Sequence, residues 1–201
     1  MPFRRPGRPA TVPSPQSRPG GPHSMASDTV FGTFTPPGRA ARLAYRPLAD
    51  DTVGGLVDLL AALVTSGEAR AFHPHAFDRH TLEALCRPAA GPRDEYWVAV
   101  EDRQVVAYGL LRGWSEGYEV PSLGIAVHPS ARGRGVARSM MEHLHDVARD
   151  RGAIRVRLKV YRDNAAAIRL YAALGYRLEP LNDREFLGFT ELDRLEKESA
   201  A

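Results

Sequence analysis

Leu123-Gly124-Ile125-Ala126-Val127-His128-Pro129-Ser130-Ala131-Arg132-Gly133-Arg134-Gly135-Val136-Ala137 carries the chain from a strand pattern, through a glycine-rich turn, into a helix. Small and β-branched residues fill 120–127, as a strand requires. After the turn, Val136, Met140, Leu144 and Val147 repeat at helical spacing and leave Arg138, Glu142, His145, Asp146 and Arg149 to face solvent. This predicts a helix of about four turns that closes near Gly152. Between the two elements, Gly133 and Gly135 let a ligand approach the backbone, and the free N–H groups of a helix start point outward together. Such a turn is an anion cradle. A dinucleotide fingerprint would need a third glycine where Arg138 stands, and a nucleoside-triphosphate loop would need a Gly-Lys-Ser/Thr ending that is absent. Hydrogen bonds to charged groups contribute about 1.5 to 3 kcal/mol each, exposed ion pairs about 0 to 1. Backbone geometry rather than arginine charge should therefore dominate binding at this turn.

Working outward, Leu43 and Tyr45 alternate with polar neighbours as the inner side of a first strand. Asp50 and Asp51 read as helix caps ahead of an apolar stripe of Leu56, Leu59, Leu60, Leu63 and Val64. Asp78 opens a shorter helix through Leu82 and Leu85, and 88–92 reads as a loop. The stretches 96–101 and 104–111 form a hairpin pattern around Asp102-Arg103. Downstream, Ile154, Val156, Leu158 and Val160 alternate strictly with Arg155, Arg157 and Lys159. A helical pattern returns over 164–174 with Gly175 as its stop, and 176–181 and 185–192 close the chain as strands. The order is strand, two helices, three strands, helix, strand, helix, two strands.

The 201 residues suit one α/β domain, and 43% hydrophobic with 25% charged residues excludes a wholly disordered or fibrous chain. The longest apolar run, 105–111, is far short of the roughly 20 residues that a membrane helix needs. Cys86 is the only cysteine, which excludes an internal disulfide or a cysteine zinc cluster and makes a reducing cytoplasm the expected location. No neighbouring motif activates Cys86, so it reads as packing. Four arginines and no acids lie in the first 24 residues; subtracting them from 27 basic residues leaves 23 against 24 acidic. A balanced domain has no bulk attraction to nucleic acid, and no membrane partner is expected. The first 24 residues also hold seven Pro and three Gly, which predicts a disordered tail. Met25 then reads as a second start after a leader, and Arg4-Arg5 lacks the apolar segment of an export signal. The expected layout is a tail over 1–40, one domain over 41–195 and a short tail over 196–201.

Arg132-x-x-Gly135-x-Ala137 after 123–127, followed by Asp163-Asn164-Ala165-Ala166-Ala167-Ile168-Arg169-Leu170-Tyr171 and Leu174-Gly175-Tyr176, resembles the GCN5-related N-acetyltransferases. The resemblance covers roughly 44–192 and is sharpest over 123–176. It implies an α/β fold of the α+β kind: a mixed, mostly antiparallel sheet of about seven strands flanked by about four helices. It also implies acetyl-CoA as acyl donor, no metal, and direct transfer to an amine in a ternary complex. On this pattern Arg132, Gly133, Arg134, Gly135, Val136 and Ala137 would hold the pyrophosphate. The backbone of Ile125, Ala126 and Val127 would lie along the pantetheine, where the family splays its fourth and fifth strands at a bulge and where Gly124 and Ala126 leave room. A strand N–H near Val127 would meet the developing oxyanion. Asn164 would touch the cofactor arm, although it reads equally as a helix cap. Tyr171, by periodicity a half-buried core aromatic, would protonate the departing thiolate.

Glu119 is the candidate general base, with Glu116 as the alternative; either also reads as an ordinary exposed carboxylate. The branch resembling protein N-terminal alanine acetyltransferases usually places a glutamate five residues before the motif asparagine, and this chain has Lys159 there. That favours a small-molecule amine, such as an amino sugar, amino acid or antibiotic, over a peptide N-terminus or a protein lysine. His73-Pro74-His75, Phe77, Asp78 and His80 form a loop suited to an acceptor pocket, with His73, His75 and Phe77 as substrate contacts. Those histidines complete no closed metal-ligand set. His128, His143 and His145 read as solvated or capping residues. Two other classes fit the same sequence: a non-catalytic acyl-CoA-binding regulatory module, and an interaction protein acting through its basic tail. A homodimer is compatible with the sequence, which does not reveal the oligomeric state.

Overall fold

Asp102 and Arg103 take φ of 46° and 70°, the pair of left-handed residues that turns two twisted strands back on each other. In the computed structural model, which describes residues 43–87 and 93–192, this turn joins the central hairpin. The expected tails and the 88–92 loop lie outside the described residues. The elements are β1 (Ala44–Pro47), α1 (Asp50–Thr65), α2 (Arg79–Cys86), β2 (Glu95–Glu101), β3 (Gln104–Arg112), β4 (Ser122–Val127), α3 (Val136–Asp150), β5 (Arg155–Tyr161), α4 (Ala165–Ala173), β6 (Arg177–Pro180) and β7 (Glu185–Glu191). Single 3₁₀ turns lie at Ala69–Ala71 and Pro129–Ala131. The seven described strands form one sheet in the order β1-β2-β3-β4-β5-β7-β6. Every neighbouring pair is antiparallel except β4 and β5. The expected mixed, mostly antiparallel α/β architecture is therefore present.

Helices cover both faces of the hairpin, which is why β3 reads as an unbroken apolar run instead of alternating. Val105, Tyr108 and Leu110 join Leu56, Leu59, Leu60 and Leu63 of α1 and Leu82 of α2. Val106, Ala107 and Leu111 join Met140, Met141, Leu144 and Ala148 of α3, together with Val156 and Leu158 of β5. At Gly109 the contact is so close that a Cβ would stand 2.8 Å from Leu144 Cδ1.

Several local expectations differ from the packed chain. Val64 is 58% exposed, and Val53 completes the α1 core face in its place. Asp50 and Asp51 lie inside the first turn of α1, where carboxylates favour the helix dipole. The cap itself is formed by Thr52, whose hydroxyl accepts from the Ala49 N–H at 3.0 Å and donates to the Ala49 carbonyl at 2.8 Å. Ile154 is 57% exposed and precedes β5. His143 and His145 both turn inward instead of facing solvent. The His143 ring stacks on Tyr45 at 4.4 Å and meets the Trp97 edge at 4.5 Å. His145 Nε2 lies 2.8 Å from the Tyr176 hydroxyl, which makes a buried imidazole tolerable.

Burial, assisted by Arg149, lowers the His145 pKa to about 4. The unfolded chain therefore takes up a proton near pH 6.5 that the folded chain refuses until about pH 4. The stability tied to this histidine is complete above pH 6.5 and is lost as the pH falls toward 4. Burial lowers His75 and His143 in the same direction. The unfolding free energy from urea titrations is expected to fall between pH 6.5 and 5, by at most about 1.4 kcal/mol per pH unit for His145 alone. His145→Gln should flatten that slope; an unchanged slope in the variant would show that the imidazole is not responsible.

Candidate functional site

The parallel neighbours β4 and β5 share one register pair, Ser122 with Arg157, secured by the Arg157 N–H on the Pro121 carbonyl at 3.0 Å. Beyond it the strands part. The His128 N–H donates to the Val106 carbonyl at 2.9 Å. By alternation, the main-chain groups of Ser122, Gly124 and Ala126 face β3, and those of Leu123, Ile125 and Val127 face the gap. Ile125 and Val127 thus stand where a ligand's amides could pair as an added strand. Ala126 commits its backbone to β3 and its methyl to the α1–α2 core. The expected bulge is not in β4, whose register runs unbroken from Val127 to Ser122; the irregular step lies at Ala99/Val100. The gap opens by divergence alone.

At the far end of β4, His128 Nδ1 accepts from the Ser130 N–H at 3.2 Å and caps the Pro129–Ala131 turn. Gly133 and Gly135 then take φ of 69° and 81°, and Gly135 is the N-cap of α3. Among the described residues, nothing accepts from the N–H groups of Gly133, Arg134, Gly135, Val136 or Ala137. A Cβ at either glycine would meet no atom within 4 Å, so the turn is uncrowded on that side of both glycines. The loop arginines are engaged elsewhere. Arg134 pairs with Glu101, and Arg132 pairs with Glu68 while also donating to the Val127 carbonyl at 3.3 Å. An anion entering here would find five free amides and two cations already compensated.

Asn164 caps α4, its Oδ1 accepting from the Ala167 N–H at 3.1 Å. Tyr171 lies in the α3–α4 core with its ring 5.7 Å from Tyr176, and burial pushes its phenol up to about 12. The phenol therefore keeps its proton through the neutral range.

A cleft of ≈ 390 Å³ lies against the β4 and β5 ends where the strands join, lined by His73, Arg112, Glu116, Arg157, Lys159 and Glu185 among others. His73 lines this cleft, but His75 and Phe77 do not. His75 donates from Nδ1 to the Ala76 carbonyl at 2.8 Å and accepts at Nε2 from the Tyr108 hydroxyl at 2.8 Å. Phe77 packs on Phe72, His73 and His75, behind the wall rather than on it. Arg112 donates to the Pro74 carbonyl and so ties the wall to β3. Buried Asp94 fixes the turn after β3, accepting from the N–H groups of Gly113 at 2.8 Å and Ser115 at 3.2 Å. Glu119 is exposed and does not line the cleft; Glu116 does. Sequence reading did not connect Arg112, Arg157 or Glu185 with this site. Arg157 showed only as the polar half of a strand alternation, Lys159 only as the residue that replaces a glutamate of the alanine-acetyltransferase branch, and nothing local marks Arg112 or Glu185.

The sequence model of the acetyltransferase (GNAT) family matches residues 63–176. The chain belongs to that family. Over 58 residues it is 43% identical to a [ribosomal protein bS18]-alanine N-acetyltransferase of Salmonella typhimurium, a match covering 29% of this chain and 39% of that protein. The matches span 39 to 59% of the length of three curated relatives. Among solved structures, the GNAT domain of S. lividans PAT superposes with a TM-score of 0.64 at 19% identity, covering 75% of this chain and 90% of that one. The PaiA N-acetyltransferase of Thermoplasma acidophilum, solved with coenzyme A, gives 0.63 at 13% identity, covering 75% of this chain and 99% of that one. At such identities these two structures bear on the fold.

Calorimetry with coenzyme A checks the loop. Gly135→Val, which forces a β-branched residue to positive φ, should weaken binding by about 100-fold or more, the worth of roughly two charge-assisted hydrogen bonds. Arg134→Ala should cost no more than about fivefold, as for an exposed ion pair. The reverse order would refute the backbone account.

Proposed function

We propose that the chain is an N-acetyltransferase that moves the acetyl group of acetyl-CoA directly to a primary amine of a small molecule, both bound at once. The observation that carries this reading is the gap between β4 and β5, with the free amides of residues 133–137 at one end and the charged cleft toward the other. A diphosphate fits the first and an acceptor the second, so the strand edge between them would align the two reacting atoms. Holding two reactants in register supplies much of the acceleration in such a transfer.

The donor brings an activated thioester; the chain's own groups do the rest. Gly133, Arg134, Gly135, Val136 and Ala137 would bind the diphosphate through main-chain N–H groups, and Ile125 and Val127 would pair with the pantetheine amides. The outward N–H of Val127 is the nearest candidate for the oxygen that gains charge. Asn164 has its Oδ1 engaged in the cap, which leaves its amide N–H groups for the cofactor arm. Tyr171 would deliver its proton to the leaving sulfur, and its raised pKa ensures that the proton is present. Glu116, in the cleft, is better placed than Glu119 to take the proton from the amine, directly or through water.

The likeness to a ribosomal-protein alanine acetyltransferase favours a second reading, acetylation of a peptide N-terminus. Lys159 in place of the glutamate of that branch weighs against it. Cytoplasmic location accords with a single cysteine and with no described helix being long and apolar enough to cross a membrane.

An amine panel with acetyl-CoA, read by release of free CoA, is the direct test. In the active pair, Tyr171→Phe should lower kcat by about 100-fold or more while KM for acetyl-CoA changes little. The wild-type rate should rise with amine deprotonation and show no phenol-dependent decline below about pH 11. Tyr171→Phe with wild-type turnover removes the acid role, and acetyl-CoA binding without turnover of any amine points to a non-catalytic acyl-CoA module.

A further inference from the structure

We propose that the acceptor carries an anionic oxygen group, a carboxylate or phosphate, beside its amine, and that Arg157 and Lys159 hold this group. The inference rests on the N-acetyltransferase reading of the same cleft and names its substrate class. Three cations line the cleft, Arg112, Arg157 and Lys159, against two carboxylates, Glu116 and Glu185. Arg112 is already engaged: it donates to the Pro74 carbonyl, and it lies 3.7 Å from Asp94 and 3.9 Å from Glu116. One oxygen of Glu185 accepts from the Asn182 amide at 3.0 Å. Among the described residues, Arg157 and Lys159 have no carboxylate within ion-pairing distance.

Packing keeps these two cations in place. Val156, Leu158 and Val160 are buried on the α3–α4 side, so strand alternation sends Arg157 and Lys159 to the opposite face, into the cleft. Two residues apart on a strand, their Cα atoms stand roughly 6 to 7 Å from each other, a span two long side chains can close around one anion. The Arg157 guanidinium lies over the Tyr118 ring at 5.3 Å, which restrains the side chain and leaves N–H groups free for a fork of hydrogen bonds. Uncompensated cations also disfavour the ammonium form of a nearby amine. The same pair would thus attract the acceptor's anion and ease the proton loss that must precede attack.

Matched acceptors test this on the intact protein: amino acids against their carboxamides, and glucosamine 6-phosphate against glucosamine. The anionic member of at least one pair should have kcat/KM at least tenfold higher than its neutral partner, with the ratio shrinking as salt rises. The carboxylate and phosphate pairs tell the two anions apart. Lys159→Glu should erase or invert the ratio, a readout that general loss of activity would not move. Because the wild-type ratio is itself decisive, a poorly folding variant does not blunt the test. Calorimetry of N-acetyl amino acids against their carboxamides, with CoA present, reads the anion site without turnover and should show the acid binding at least tenfold tighter. If no amine releases CoA but the acid is still preferred, the acetyltransferase reading fails and the anion site stands. Neutral and anionic members with equal kcat/KM and equal affinity overturn this inference alone.

Discussion

One edge of a central strand goes without a partner strand. From Leu123 to Val127, β4 is hydrogen-bonded to β3 on one side and has no strand on the other, where Arg132 reaches the Val127 carbonyl, because β5 meets it only through Ser122 and Arg157. Unpaired main-chain groups inside a sheet are costly unless a ligand or water satisfies them. An extended ligand arm bearing its own amides would satisfy them. The hairpin packed between two helical layers holds β4 rigidly from β3. The β5–β7–β6 half, joined through Val156, Leu158 and Val160 to the core that α3 shares with β3, sets the other bank.

The two ends of that edge are electrostatically different, and the difference divides their roles. At the glycine turn, Glu68 and Glu101 compensate the arginines, so the attractive feature is a set of oriented, unoccupied N–H groups. Oriented amides hold an anion in one pose and need no reorganisation when it arrives. At the cleft the attractive feature is side-chain charge: among the described residues, Arg157 and Lys159 pair with no carboxylate.

Burial draws the line between polar residues that act and those that hold. His75 and His145 each give a ring nitrogen to a tyrosine hydroxyl, Tyr108 and Tyr176, and each is held neutral by desolvation. Neither lines the cleft: His75 packs against Phe77 and Tyr108, and His145 backs the Tyr171–Tyr176 contact. The chain thus uses histidine for structure at positions where an isolated motif would suggest chemistry.

Elements set by short-range rules could be read from the residues alone. The Asp102-Arg103 turn, the strict alternation of β5, the Asp78 and Asn164 caps and the glycine stops at 152 and 175 each depend on a few neighbouring side chains. The glycine turn before α3 belongs with them, because positive φ at Gly133 and Gly135 and a helix start are local properties. The inward rotation of His143 and His145, the exposure of Val64 and Ile154, and the withdrawal of His75 and Phe77 from the cleft could not be read that way. Each depends on what a distant segment supplies: Tyr45 and Trp97 for His143, Tyr176 for His145, Tyr108 for His75. The cleft is the extreme case, since Arg112, Glu116, Arg157, Lys159 and Glu185 come from three separate stretches of chain. Periodicity says which way a side chain faces along its own element; only the closed sheet decides what waits on the other side.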